Sequence, residues 1–195
     1  MAKQTPNTTI RRILLAVTGA SGVPYAETLA RTLAAAPDIE PHIIISNAAR
    51  TVMAVESDTD PHALAALAHA AYADDDMAAP PASGSWVHHG MIICPCSMAS
   101  LAAIASGLGT TLVHRAADVT LKEARPLVLV PRETPLSTVH LENMLRARRA
   151  GAHIVPACPG FYHRPACVQD LVDHLAARVL DLLAVHHDLS RRWGE

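Results

Sequence analysis

The chain has 195 residues, of which 50% are hydrophobic and 17% are charged, and its formal net charge at pH 7 is −2. These values exclude a disordered tail and are typical of one globular domain over residues 1–195, with residues 1–10 expected to be flexible. The weak charge excludes the basic footprint of a nucleic-acid-binding protein. The apolar run at 13–17 is too short for a signal sequence or a membrane span, so we expect a cytoplasmic protein without a membrane partner.

Short apolar runs alternate with longer helical patterns, which is typical of a parallel sheet with helical crossovers. The predicted strands are residues 12–18, 42–46, 90–95, 126–131 and 153–157. The predicted helices are residues 22–36, 47–56, 61–73, 97–107, 112–124, 137–150 and 167–185. Right-handed crossovers then predict an α/β fold, a three-layer αβα sandwich with a Rossmann-like or flavodoxin-like parallel sheet. Residues 72–86 break this rhythm and are expected to form an extended surface loop or a lid.

The first predicted strand leads into the small-residue segment TGASGVPY, residues 18–25. Because helix N-terminal amides favour anions, Gly19, Ala20 and Ser21 are candidates for holding a phosphate or the edge of a flavin. Tight turns also need small residues for steric reasons alone, and the spacing matches neither a dinucleotide fingerprint nor a P-loop. The second and third strands end in Ser46 and Ser97, so three neighbouring strand ends suggest a polar lining for a phosphate or a heteroaromatic ring.

The segment RPLVLVPRETPL, residues 125–136, places a buried strand directly against charged residues. The carboxyl ends of parallel strands are where open α/β sheets bind ligands, so Arg132 and Glu133 are candidates for a substrate site. An ordinary solvated loop is the alternative.

Arg178 interrupts the stripe of leucines along the last long helix. A guanidinium that faces the core requires an anion, unless it reaches solvent or pairs with a structural carboxylate. Arg115, Lys122 and Arg132 are further cations that the fold could bring to the same crevice. Arg115 and Lys122 are seven residues apart and share a helical face, which by itself is typical of a solvated surface.

No metal site is predicted. The twelve histidines lack the spacing of known metal motifs, and the four cysteines fit neither a disulfide framework nor a paired zinc site. Asp74, Asp75 and Asp76 are similar to the aspartate-rich motifs that bind magnesium diphosphate, but three aspartates in a loop are more typical of a solvated segment.

Several motifs occur in a recognisable order along the chain. They are TGASGVPY, SNAARTVMAVE (46–56), PPASGS (80–85), CPCSMASLAAIASG (94–107), HRAADVTLKEARPLVLVPRETPLSTVHLENM (114–144), PACPGFYHRP (156–165) and the terminal RRWGE. Together they closely resemble the UbiX-type flavin prenyltransferases, from about Arg12 to the last residue. The resemblance implies transfer of the dimethylallyl group from dimethylallyl monophosphate to N5 and C6 of reduced FMN. The product, prenylated FMN, would serve as the cofactor of UbiD-type decarboxylases.

The same resemblance assigns roles to individual residues. It places an FMN site around nine residues, which are Gly19, Ala20, Ser21, Ser46, Ser97, Met98, Ala99, Ser100 and Arg132. It implies that Lys122, Tyr162 and Arg178 bind the dimethylallyl phosphate, with Arg115 as a further cation. Glu133 matches the acid/base glutamate of the family and Glu56 a second site carboxylate, so the implied catalytic set is Glu133, Ser21, Glu56, Lys122 and Arg115.

The resemblance also implies a homo-oligomer, expected to be a dodecamer, with sites at subunit interfaces and without a metal. Thr110 and Thr111 stand where many relatives carry asparagines, and Met77 where an aromatic residue is common, so subunit contacts and pocket lining could differ. Two other functions stay open. One is a flavin-dependent cysteine decarboxylase of related fold, and the other is a flavin-binding subunit without catalysis.

Overall fold

Six parallel strands form one sheet in the computed structural model, which describes residues 10–190. The strands are β1 (Arg11–Val17), β2 (Ile39–Ile45), β3 (Ala70–Ala73), β4 (Gly90–Cys96), β5 (Leu127–Pro131) and β6 (His153–Ile154). The helices are α1 (Val23–Ala35), α2 (Asn47–Glu56), α3 (Pro61–Ala65), α4 (Met98–Ala105), α5 (Leu112–Lys122), α6 (Thr138–Arg149) and α7 (Val168–Asp181). Residues 1–9 of the expected flexible segment, and the terminal RRWGE, lie outside the described residues.

The strand order β3-β2-β1-β4-β5-β6 places β1 beside both β2 and β4. The chain therefore moves outward in one direction up to β3 and in the other direction from β4, and the order reverses next to β1. In open α/β sheets, the crevice beyond the strand ends at such a reversal is the usual ligand site. The fold predicts that ligands bind beyond the carboxyl ends of β1 and β4.

Two apolar layers pack on opposite faces of the sheet because successive strand residues point to opposite sides. Along β1, Ile13 and Leu15 face a cluster with residues of α1, α2 and α7. Leu14 and Ala16 face a second cluster with residues of α4 and α5. The predicted three-layer αβα sandwich with a parallel sheet is confirmed.

One predicted helix, residues 61–73, is wrong in its second half. Helix α3 ends at Ala65, and residues 70–73 form the edge strand β3. The alanine-rich sequence favours a helix locally, but parallel pairing with β2 overrides that propensity. A hydrogen bond of 2.9 Å between the Tyr72 hydroxyl and His42 Nδ1 adds a side-chain contact between these strands.

The segment expected to be a loop or a lid is anchored to the sheet and to α5. Arg125 donates to the carbonyl oxygens of Gly84 and Trp86 at 2.8 and 3.1 Å. The Asp74 carboxylate accepts from the Val113 amide at 3.1 Å, at the start of α5. This aspartate therefore has a structural partner, which the solvated-segment interpretation did not include.

Candidate active site

Polar side chains gather where β1, β2, β4 and β5 end, and we call this region the carboxyl edge. Val17 pairs with Ile45, and Cys96 pairs with Pro131, so the residues that follow these strands lie side by side. They include the turn at residues 19–21 and the side chains of Ser46, Ser97 and Arg132. Three of the predicted cofactor segments are thereby brought together with the charged end of β5.

The two strand-end serines begin helices. Ser46 Oγ accepts from the Ala49 amide at 3.1 Å and caps α2, and Ser97 Oγ accepts from the Ser100 amide at 3.2 Å and caps α4. The Ser97 hydroxyl also donates to Ser100 Oγ at 3.1 Å. Both helices direct their positive ends toward the carboxyl edge, which favours an anion there.

Glycine in the first turn has a packing reason. A Cβ atom on Gly19 would lie 2.5 Å from Ala48 Cβ, so any side chain there would push the turn away from α2. Gly22 has a φ of 126°, a left-handed conformation that glycine adopts without steric cost. The steric explanation of the small-residue segment therefore holds at these two positions, independently of any ligand.

Glu56 reaches back from the end of α2 to the start of α1. Its carboxylate accepts from the Gly22 and Val23 amides at 2.9 and 3.0 Å and from the Ser21 hydroxyl. Desolvation would raise the pKa of this carboxyl, but the hydrogen bonds and the nearby Arg132 charge outweigh it and lower the pKa below its usual value. The first amides of α1 are thus bound by a carboxylate of the protein, whereas α2 and α4 each have one first-turn amide bound by a serine hydroxyl.

The end of β5 carries the charged pair predicted from the sequence. Arg132 Nε donates to the Ser21 carbonyl oxygen at 3.1 Å and so connects β5 to the first turn. Glu133 is exposed, and its Oε1 accepts from the Thr134 amide at 2.9 Å. It borders a cleft of about 90 Å³. The cleft is lined by Pro131, Arg132, Glu133, Thr134, Leu136, Met144, Pro156, Ala157 and Cys158.

Tyr162 follows the segment that extends beside β5. The Val155 and Ala157 amides donate to the carbonyl oxygens of Leu129 and Pro131 at 2.8 and 3.0 Å, so this segment runs toward the carboxyl edge. The Tyr162 side chain is 58% exposed, and its ring packs edge-on against His174 at 5.1 Å between centroids. An exposed phenol is compatible with the predicted ligand contact.

Lys122 lies at the opposite end of the sheet from Glu133. It is the last residue of α5 and precedes the first residue of β5, whereas Glu133 follows the last residue of that strand. Its Nζ pairs with Glu123 at 2.7 Å. Arg115, in the first turns of α5, donates to the Ala82 carbonyl oxygen at 3.1 Å and pairs with Asp118 at 2.7 Å. Within one chain, both cations are paired with neighbouring carboxylates.

Arg178 does not face the core, and the interpretation that it lies on the buried stripe is wrong. Its side chain is 60% exposed and pairs with Asp181 at 2.7 Å, one helical turn further along α7. The residues after α7 contact the amino ends of the strands, because Arg11 donates to the Ala184 carbonyl oxygen at 2.9 Å. One chain therefore does not bring Arg178 to Glu133.

The residues that depart from the family pattern have structural partners or solvent contact. Thr111 caps α5 by accepting from the His114 amide at 3.5 Å, and Thr110 Oγ1 lies 3.1 Å from His114 Nδ1. Met77 is 44% exposed.

Met98 and Ala99 form the first turn of α4, beyond the Ser97 cap.

Thr18 lies at the carboxyl edge, and the sequence analysis did not single it out. It is buried and contacts the segment that joins β4 to α4. The available signal was a hydroxyl residue immediately after the apolar strand, just ahead of the turn.

Within residues 10–190, no helix is long and apolar enough to cross a membrane. Nor does that range bring three His, Cys, Asp or Glu side chains together as a metal-binding group. The predicted absence of a metal stays a prediction.

Comparisons with known proteins point to one family. The family model described as Flavoprotein matches residues 1–183. The flavin prenyltransferase UbiX of Pseudomonas aeruginosa PAO1 is 48% identical over 198 residues, which cover 94% of each chain.

Two solved structures are similar along nearly their whole length. AnUbiX (PadA1), in complex with FMN and dimethylallyl pyrophosphate, has a TM-score of 0.93 at 44% identity and is covered to 98%, against 95% of this chain. A dodecameric FMN-dependent UbiX-like decarboxylase from Escherichia coli O157:H7 has a TM-score of 0.92 at 46% identity, with coverages of 100% and 94%.

Proposed function

The chain belongs to the Flavoprotein family and is a flavin prenyltransferase, and on that premise we propose the details of its reaction. The dimethylallyl group of dimethylallyl monophosphate is transferred to N5 and C6 of reduced FMN. The released prenylated FMN then serves a UbiD-type decarboxylase, and the enzyme works in the cytoplasm. The observation that carries this proposal is the convergence of two capped helix ends, Arg132 and Glu133 at one edge of the sheet.

The carboxyl edge fits a flavin mononucleotide in its chemistry. A phosphate requires N–H donors and positive charge, which the starts of α2 and α4 and the Arg132 side chain offer. The small side chains at Gly19 and Ala20 allow the backbone of the first turn to approach a flat ring system closely. We assign FMN binding to Gly19, Ala20, Ser21, Ser46, Ser97, Met98, Ala99, Ser100 and Arg132.

A second copy of the chain completes the donor site in this proposal. Lys122 and Arg178 are separated from Glu133 in one chain, yet the resemblance gives all three to the same reaction. A homo-oligomer resolves this, because a neighbour's α5 or α7 can present its cations to the carboxyl edge. A dodecamer is the expected state, and the dodecameric relative supports it.

The residues then divide the chemistry between charge stabilisation and proton transfer. Breaking the allylic C–O bond places negative charge on the leaving phosphate, which Lys122, Arg178 and Arg115 stabilise without a metal. Loss of one such contact in a water-excluded site typically costs roughly 2.7–4 kcal/mol in the transition state. Reduced FMN, when bound, supplies the electron-rich atoms, and Tyr162 helps to hold the donor phosphate.

Glu133 is the proposed acid/base residue. It is exposed at the cleft, so its carboxylate can accept a proton from a ligand bound there. Glu56 has a different role, because its carboxylate already accepts three hydrogen bonds from the first turn. It holds Ser21 and the start of α1 in place beside the reacting groups.

A cysteine decarboxylase would require a thiol substrate and has less support. The identity to a flavin prenyltransferase extends over 94% of the chain, and the exposed Glu133 with Tyr162 suits a phosphorylated allyl donor. A non-catalytic flavin-binding subunit has no need of the acid/base residue.

The direct test combines the purified protein with reduced FMN and dimethylallyl monophosphate under anaerobic conditions. We expect a prenylated flavin in the mass spectrum of the released cofactor, with the same yield in the presence of a chelator. Release of unmodified FMN would contradict the proposed reaction. Turnover that a chelator abolishes and magnesium restores would contradict the proposal that no metal is needed. Parallel reactions with dimethylallyl diphosphate determine the donor preference.

A further inference from the structure

Thr18 connects the two halves of the carboxyl edge. Its side chain is 2% exposed, and its hydroxyl donates to the Pro95 carbonyl oxygen at 2.8 Å. The same Oγ1 accepts from the Ser97 amide at 2.8 Å. The Thr18 amide also donates to the Pro95 carbonyl oxygen at 3.2 Å. The residue that follows β1 therefore forms two hydrogen bonds to the end of β4, at Pro95, and one to the cap residue of α4, Ser97.

The hydrogen bond between the Ser97 amide and Thr18 Oγ1 takes the place of a bond that α6 forms within its own first turn. In α6, the Ser137 hydroxyl accepts from the His140 amide, and His140 Nδ1 accepts from the Ser137 amide at 3.3 Å. That capping box is closed within one helix turn. In α4, the corresponding amide of the cap residue is bound by Thr18 from a different strand. The start of α4 is thereby fixed relative to the turn at residues 19–21.

The two connected parts are the ones proposed to hold FMN. The turn at 19–21 follows Thr18 directly, and Ser97 begins α4, so a change at Thr18 alters their separation. Thr18 itself is buried, and its hydroxyl bonds Pro95 and Ser97. We propose that Thr18 is a positioning residue for flavin binding, whose hydroxyl holds the α4 N-terminus and Ser97 at the separation from the first turn that one FMN molecule requires. This inference rests on the proposed function.

The test replaces the hydroxyl while keeping the shape of the side chain. Thr18→Val removes both hydroxyl bonds and retains the β-branch, whereas Thr18→Ser keeps the hydroxyl and removes the methyl group. Thr120→Val is the matched control. Thr120 is 0% exposed, and its Oγ1 bonds the Ala116 carbonyl oxygen at 2.6 Å and His88 Nε2 at 2.9 Å, away from the carboxyl edge.

Oxidised FMN is titrated into each protein after removal of bound flavin, and the quenching of its fluorescence is followed. We expect Thr18→Val to raise the Kd for FMN by about tenfold or more, and Thr18→Ser to stay within about threefold of the wild type. Thr120→Val should lower the unfolding temperature comparably but leave the Kd unchanged. At saturating FMN, the donor KM of Thr18→Val should equal that of the wild type, because Thr18 acts on the flavin half of the site.

Each outcome separates positioning from a purely structural role. An unchanged Kd in Thr18→Val, or a raised Kd that Thr18→Ser shares, would overturn the inference. Failure of Thr18→Val and Thr18→Ala to fold, when Thr120→Val folds, would assign Thr18 to stability alone. Absence of FMN binding by the wild-type protein would instead contradict the proposed function on which the inference rests.

Discussion

The two edges of the sheet use polar residues in opposite ways. At the amino edge, where the strands begin, buried polar groups bind one another. His88 is 2% exposed, accepts from Arg125 at Nδ1 and bonds Thr120 through Nε2. At the carboxyl edge, Glu133 is exposed and borders a cleft. The amino edge satisfies these polar groups internally, whereas the carboxyl edge leaves Glu133 exposed at a cleft.

Aromatic rings at the amino edge pack against histidine and arginine side chains. Trp86 packs edge-on against His42 at 4.8 Å and stacks on His88 at 5.4 Å between centroids. The Arg12 guanidinium lies 5.7 Å from the Trp86 ring, within the range of a cation–π contact. Changes to these packed groups should therefore affect stability, and changes to Glu133 or to the residues proposed to hold FMN should affect turnover or binding.

The largest expected effect is at the carboxyl edge. Glu133→Gln keeps the size of the side chain but cannot exchange a proton near neutral pH, so turnover should fall by about 10²- to 10⁴-fold. The Kd for FMN should stay close to the wild-type value. Anaerobic product assays and flavin titration measure the two quantities. Glu142→Gln, on the exposed face of α6, is the control and should have wild-type turnover. Normal turnover in Glu133→Gln would show that Glu133 does not transfer the proton.

The second prediction concerns acid stability at the amino edge. Desolvation, followed by the Arg125 charge, lowers the pKa of His88 from 6.5 to about 4. Because the neutral ring is favoured in the folded state, its stabilisation is complete above pH 6.5 and is lost as the pH falls toward 4. The loss should reach about 3 kcal/mol of unfolding free energy, since each pKa unit corresponds to about 1.36 kcal/mol.

Urea unfolding at several pH values, compared with His88→Gln, isolates this contribution. The difference in pH dependence between the wild type and His88→Gln should lie between pH 6.5 and 4. His62→Gln changes an exposed histidine of α3 and should keep the wild-type pH dependence. Parallel profiles for the wild type and His88→Gln would show that His88 is not the titrating group.

The third prediction tests whether a surface cation belongs to the donor site. Arg178→Ala should raise the donor KM by about 10- to 150-fold, because a charge-assisted hydrogen bond contributes about 1.5–3 kcal/mol, and should leave FMN binding unchanged. Arg31→Ala removes a comparable exposed ion pair, with Glu27 at 3.5 Å, and is the control. Steady-state kinetics with varied donor supply the comparison. An unaltered donor KM would show that Arg178 forms its ion pair with Asp181 and does not bind the donor.

The smallest expected effect distinguishes two helix caps. Ser46→Ala and Ser137→Ala should each lower the unfolding free energy by about 1 kcal/mol, the usual value of an N-cap. Only Ser46→Ala should also weaken FMN binding, since Ser137 begins α6 outside the proposed flavin residues. Equal FMN affinities in the two variants would assign Ser46 to helix capping alone.

Much of the fold could be predicted from the chain because apolar periodicity is a local signal. Strand β3 was missed because its sequence, AAYA, carries no such signal and depends on pairing with β2. The placement of Arg178 on the buried stripe was wrong for a related reason. The spacing of leucines along α7 does not specify whether an arginine pairs with a carboxylate at the surface, as Arg178 does with Asp181. Glu56 entered only through the family resemblance, since its contacts bridge 35 residues of sequence.

Arg125 has a consequence for strand register. Its guanidinium donates hydrogen bonds to Gly84 and Trp86, in the segment before β4. Arg125 itself shortly precedes β5, next to the pairing of Met91 with Leu127. A slip of one residue would shift one strand against the other by about 3.3 Å and turn its side chains to the opposite face. Because Ser97 and Arg132 follow the far ends of these same strands, their alignment is specified at the edge of the sheet opposite the proposed flavin site.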